Sequence, residues 1–209
     1  MTSTVVFDLD KVLLGGDAST LFLRGRLRQR TRSALPLLLT SPLLLVAAAV
    51  PQLRALGALV MIRVATGGRD VESVAAAFRS VLTVKPEAAV ADALACVRAH
   101  RRDGDTVVVA TGCEETLARG FLLAIGLGDL DVVGSQAGFP IRRAMGESKV
   151  RMLSERGHPP PWTAVYSDSP SDLALFAGTS RPVMVNAGER AARQVERLLG
   201  RRPETVTWR

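Results

Sequence analysis

The chain is poor in the residues that several common chemistries require. Its two cysteines, Cys96 and Cys113, lie far apart in 209 residues and show neither CxxC nor metal-ligand spacing, so neither a disulfide scaffold nor a zinc module is expected. The only histidines are His100, in a basic helix end, and His158, ahead of a proline run. Both are expected to face solvent, and no Cys/His nucleophile pair is expected. Cys96 falls on the apolar face of a helix and is expected in the core. Cys113 follows a loop of site-like character but has no evident base partner. Aromatics amount to 4%, and there is no zinc-finger spacing, RNA-binding aromatic motif or basic heptad region, which argues against nucleic-acid binding. With no secretory pattern ahead of the first strand, a reduced, cytoplasmic setting is the expectation.

Long apolar runs are also few, and the longest is interrupted. Residues 34–50 are almost wholly apolar, but Pro36, Pro42 and Pro51 break the run, and Arg54 and Arg63 follow. The ~20 uninterrupted residues of a membrane span are therefore not reached. Three readings stay open: hydrophobic helices of an insertion, a surface that dips into a bilayer interface beside basic residues, and a span, with the first preferred. Just ahead, Arg24, Arg26, Arg28, Arg30 and Arg32 alternate with other residues, spreading cations around much of a helix. The formal net charge of +7 suits an anionic partner without choosing among phosphoesters, acidic lipids and nucleic acid.

What is present is an ordered series of strands that end in polar residues. Val5-Val6-Phe7 is an apolar strand that delivers Asp8 and Asp10. Two acids this close repel unless a cation sits between them. The alternative is a strand that merely runs into an acidic turn. Gly15-Gly16 permits a reversal, and Asp17 either caps the next helix or touches a ligand at the mouth of a site. Asp70 caps a helix over 71–82, and Pro86 opens another over 87–102. A second strand over 106–110 stops at Thr111-Gly112, a helix spans 114–125, and a third strand covers 131–134. Lys149 opens a short helix, and a fourth strand over 163–166 ends in Ser167-Asp168-Ser169-Pro170-Ser171-Asp172. A fifth over 182–186 precedes an Arg-rich helix over 189–199, with a short terminal strand after it. This alternation predicts an α/β fold with a doubly wound parallel (Rossmann-like) sheet. In such a sheet the strand ends share one edge, where ligands bind.

Asp-x-Asp-x-Val at 8–12, Thr111 after an apolar strand, Lys149, and Asp168-x-x-x-Asp172 together resemble the four motifs of the haloacid dehalogenase superfamily. The stretch 166–173 is similar to the fourth motif of its phosphoserine-phosphatase-like branch, including members that act on phospholipid phosphates. Lys11 and Val12 stand where glycine and threonine are commoner. The resemblance implies a catalytic core at 1–16 and 86–209 with a helical cap inserted at 17–85. It implies a Mg2+-dependent phosphomonoester hydrolase, with Asp8 as nucleophile and metal ligand. Asp10 would be acid-base group and metal ligand through its backbone carbonyl, and Asp168 a further ligand. Thr111 and the Gly112 amide would hold a phosphoryl oxygen, and Lys149 would balance its charge. Asp172 is placed among the metal residues, orienting Lys149 or a metal-bound water. Asp17 and Arg24 are candidates for substrate contact, with Arg26 and Arg28. The small phosphorylated substrate is expected to be a lipid or membrane-associated ester, which implies peripheral membrane contact through the apolar cap. The alternatives are a soluble phosphoamino-acid-like metabolite and a catalytically silent binding module.

Overall fold

The structure is a computed structural model, and it describes residues 3–22, 70–138 and 140–209. Arg24, Arg26, Arg28 and the apolar stretch 34–50 lie outside the described residues, as does most of the expected cap.

Six strands form one sheet: β1 (Thr4–Phe7), β2 (Thr106–Glu114), β3 (Asp131–Ser135), β4 (Trp162–Ser167), β5 (Thr179–Val185) and β6 (Glu204–Val206). Their order is β3-β2-β1-β4-β5-β6, and every pairing is parallel. The helices are α1 (Val71–Val84), α2 (Ala91–Arg102), α3 (Glu115–Ala124), α4 (Glu147–Glu155), α5 (Leu173–Ala177) and α6 (Glu189–Leu199). A sheet covered on both faces needs strands that are apolar on both sides, and the register meets this. Val5, Phe7, Val107, Val109, Ala164 and Tyr166 share one cluster with Val74 and Phe78 of α1, Val97 of α2 and Phe121 of α3. Val6, Val108 and Val165 share the other with Met152 of α4, Phe176 of α5 and Val195 of α6. Three helices thus cover each face, and the direction of winding reverses between β1 and β4. That places the topological switch point beside the central strand.

Residues 70–85 belong to the stretch expected as insertion, yet α1 packs onto the core helix α3. Contact is close enough that a Cβ on Gly120 would lie 2.4 Å from Val74 Cγ1. Phe22 and Phe78 join Phe121 in the same packing, with ring centroids 5.8 and 5.4 Å apart in sequence. The described ends of the stretch expected as an insertion are therefore packed into the core.

Three sequence expectations are corrected. The continuous helix over 87–102 is instead a 3-10 turn, Pro86–Ala88, followed by α2. The break arises because the Ala88 carbonyl accepts from Gly15 N and Val90 N donates to the Leu13 carbonyl, so the backbone here serves the turn after β1. His100 does not face solvent: its ring bonds Asp105 at 2.7 Å and the Tyr166 hydroxyl at 3.0 Å. His158 is likewise mostly covered, its Nε2 lying 2.9 Å from Asp131. Both imidazoles fasten helix or loop ends to the sheet, which periodicity alone does not reveal. Cys96 is partly buried and Cys113 buried.

Candidate active site

β1 ends at Phe7 and hands Asp8 to the C-terminal edge of the sheet, where Asp8 N donates to the Tyr166 carbonyl at 2.8 Å. The chain then makes one tight turn. Leu13 N and Leu14 N both donate to the Leu9 carbonyl, and Lys11 N donates to the Gly16 carbonyl, each at 3.0 Å. This turn brings Asp10 back over the edge. Its Oδ1 accepts from Ala18 N at 2.8 Å, at the start of the helical residues 18–22.

Lys149 comes from the first turn of α4, behind Gly146, whose φ of 51° turns the chain into the helix. Its ammonium donates to Asp8 Oδ1 at 3.2 Å and to Asp172 Oδ1 at 2.8 Å, and all three side chains are buried. The second oxygen of Asp172 accepts from Ser167 Oγ at 2.6 Å. Each Asp172 oxygen thus has a protein partner, and the residue holds the Lys149 ammonium in place. Asp168 lies at the rim, its Oδ2 3.2 Å from the ammonium of Lys11. Thr111 is fully buried in the irregular end of β2, where its Oγ1 accepts from Cys113 N at 3.1 Å. That leaves the hydroxyl proton for a ligand. Gly112 is exposed, and its carbonyl accepts from Ser135 Oγ at 2.7 Å while the same Oγ accepts from Ala144 N at 3.0 Å. Asp17 Oδ1 accepts from Thr20 N at 2.7 Å, a helix cap.

Asp8, Lys149 and Asp172 therefore meet, with Asp10 and Asp168 beside them and Thr111 and Gly112 on the neighbouring strand end. Arg24 falls outside the described residues. Sequence reasoning passed over Ser167 and Ser135, two strand-end hydroxyls that hold the site from behind. It also gave Lys11 no role, although a lysine where glycine is commoner was the signal.

The electrostatics follow from burial. Burial pushes Asp8 up to about 7, the nearby Asp172 and Asp10 add to this, and Lys149 only partly offsets it. Burial also pushes Asp10 up to about 6, against the Ala18 hydrogen bond. For Lys149 burial favours the neutral amine, but the facing Asp8 and Asp172 more than reverse it and hold the ammonium charged. The acids outnumber the buried cation, and the second oxygen of Asp8 receives no hydrogen bond among the described residues. A hard divalent cation with oxygen ligands fits this set. Magnesium takes one or two carboxylates and completes its shell with water, for which Asp8, Asp168 and the Asp10 carbonyl are the available donors. Among the described residues no three His, Cys, Asp or Glu side chains converge on one point. A site built from two carboxylates, a carbonyl and waters does not need three.

A pH dependence follows with a definite sign. Asp8 and Asp10 are raised above the ordinary carboxylate range, so between about pH 4 and 7 these two groups bind more protons in the folded chain than in the unfolded one. These two groups then lower stability as pH rises. The metal-stripped protein is expected to melt at a lower temperature at pH 8 than at pH 5, and added Mg2+ to raise the melting temperature more at pH 8. Melting curves with EDTA or Mg2+ at both values check this. An increment independent of pH would contradict the assignment.

A family model for haloacid dehalogenase-like hydrolases matches residues 5–177. Among solved structures, a protein of unknown function from Bordetella pertussis Tohama I is 19% identical, with TM-score 0.70 and 99% of each chain covered. A predicted phosphatase from Clostridium acetobutylicum is 13% identical, with TM-score 0.59, covering 98% of this chain and 94% of that one. A phosphoserine phosphatase in apo form is 11% identical, with TM-score 0.54, covering 93% and 91%. At these identities the likeness is one of fold. No curated protein matches the sequence.

Proposed function

Because the chain belongs to the haloacid dehalogenase-like hydrolases, whose match spans every segment of the site, we propose that it is a Mg2+-dependent phosphomonoesterase working through an aspartyl-phosphate. The observation that carries this reading is the buried Asp8–Lys149–Asp172 array beside Asp10. Asp8 attacks phosphorus with its carboxylate oxygen, forming an O–P bond as the ester oxygen departs. Asp10 gives that oxygen its proton, and a pKa near 6 suits it to hold a proton and release it near neutrality. Asp10 then takes a proton from the water that cleaves the aspartyl-phosphate and restores Asp8. Thr111 and the Gly112 amide bind a phosphoryl oxygen, while Lys149 balances charge on the oxygens in transfer. Asp8, Asp168 and the Asp10 carbonyl would hold the metal. When bound, magnesium supplies the positive charge that lets an anionic carboxylate approach an anionic phosphate.

For the substrate, the charge distribution favours an anionic membrane surface. Residues 23–69 contain eight arginines and no acidic residue, whereas the rest of the chain has nineteen Lys or Arg against twenty Asp or Glu. The entire excess of positive charge thus accompanies the most apolar segment, a combination that suits acidic headgroups with an apolar boundary beneath them. Among the described residues no helix is long and apolar enough to cross a membrane. The substrate read from this is a lipid or membrane-associated phosphate ester. A soluble phosphorylated metabolite is the second reading, favoured by the fold likeness to a phosphoserine phosphatase.

Phosphate release measured with Mg2+ across lipid and soluble phosphate esters tests the reaction and the substrate class together. Sedimentation with liposomes tests the surface: binding to anionic vesicles at low salt, released by high salt, is the expected result. Absence of binding at low salt would rule the lipid reading out.

A further inference from the structure

Lys11 occupies a backbone position that its residue type does not suit. Its φ is 59°, the left-handed conformation that glycine takes freely and a side chain with a Cβ resists. A lysine kept in this conformation directs attention to what its side chain does. That side chain reaches across to Asp168, Nζ to Oδ2 at 3.2 Å, while staying 67% exposed. Asp168 is the acid at the rim that the reading above makes a metal ligand, and the oxygen Lys11 takes is one a metal would need.

We propose that Lys11 is a tethered counter-cation: its ammonium neutralises Asp168 in the metal-free protein and must move aside for a divalent ion to bind. Lys11 thereby lowers the affinity of the site for its metal and makes loading dependent on ionic strength. The inference rests on Asp168 being a metal ligand. Two effects combine. An exposed ion pair has to open, which is a small cost, and a like charge then remains on a short tether beside the ion. Together they predict an affinity about three- to tenfold weaker than that of the same site without the ammonium.

The test is calorimetric titration of Mg2+ into the metal-stripped, full-length protein without substrate, at low and high NaCl. Lys11→Met removes the charge and keeps the strained backbone with a side chain of similar reach. Lys11→Asn removes the charge and tolerates the left-handed turn, and Lys11→Arg keeps the charge. Met and Asn variants are expected to bind Mg2+ about three- to tenfold more tightly than wild type at low salt, with the gap closing at high salt as the ammonium is screened. The Arg variant is expected to stay near wild type. Equal affinities throughout would overturn the inference while leaving the metal site standing. Tighter binding in Asn but not Met would also overturn it, because relief of strain would then be the cause. A raised KM in Met and Asn with unchanged metal affinity would assign the ammonium to substrate instead. No heat in wild type or any variant would remove the metal reading itself, and the inference with it.

Discussion

Asp8→Asn is expected to reduce phosphate release by about three orders of magnitude or more, ~4 kcal/mol of barrier, while leaving the fold intact. An amide of nearly the same shape cannot supply the attacking oxygen, and no covalent aspartyl-phosphate forms. Stability points the other way. Burial already pushes the Asp8 carboxyl up to about 7, so above that pH the folded protein carries an ionised group in a buried place. Asparagine removes that cost, and although Lys149 loses one acceptor at 3.2 Å it keeps Asp172 at 2.8 Å. The metal-stripped variant is therefore expected to be at least as stable as wild type at pH 8, and its stability to vary less between pH 5 and 8. Phosphate assays together with thermal melts check both halves. Activity equal to wild type would refute Asp8 as nucleophile. A large loss of stability would show that the charge on Asp8 holds the fold together, contrary to the direction of its shift.

The parts of this site visible in the sequence are those where polar residues interrupt apolar strands. Asp8 and Thr111 follow apolar, largely β-branched strands and Asp168 follows the mainly buried β4, and a parallel sheet has only one edge to which such residues can be delivered. The strand order was not visible, because nothing local states that β1 lies between β2 and β4; pairing is settled by long-range packing. The division of labour among the acids was not visible either. Asp172 and Asp168 sit four residues apart in one segment, yet the first is enclosed by Lys149 and Ser167 and the second meets Lys11 at the rim. That difference comes from the 3-10 turn Pro170–Asp172, which swings Asp172 inward. The helix expected over 87–102 is broken for a related reason. Its pattern is helical throughout, but the backbone at Ala88 and Val90 is claimed by the turn after β1, a tertiary demand that overrides local propensity.

Lys149→Met carries the largest expected effect on stability. The substitution keeps an unbranched side chain of similar length in a buried site, so packing is largely preserved and the change isolates the charge. What it leaves behind is Asp8 and Asp172, two buried carboxylates that lose the cation bonded to both. Removing one partner of a buried ion pair costs about 3–5 kcal/mol, a fall in melting temperature on the order of 10 °C for a chain of this size. The loss is expected to be greatest above pH 7, where Asp8 would have to ionise without Lys149, and to shrink in mild acid, where a proton replaces the ammonium. Lys149→Met with Asp172→Asn is expected to recover a large part of the stability, since the amide oxygen can still accept from Ser167 and one buried charge is gone. It is not expected to recover activity, because charge on the transferring phosphoryl oxygens would remain unbalanced. Melting curves of the single and double variants across pH 5–8, beside their rates of phosphate release, separate the two roles. If the single variant were as stable as wild type and the double variant no different, Lys149 would not be the counter-ion of a buried acid pair. If the double variant regained activity, Lys149 would serve the fold alone.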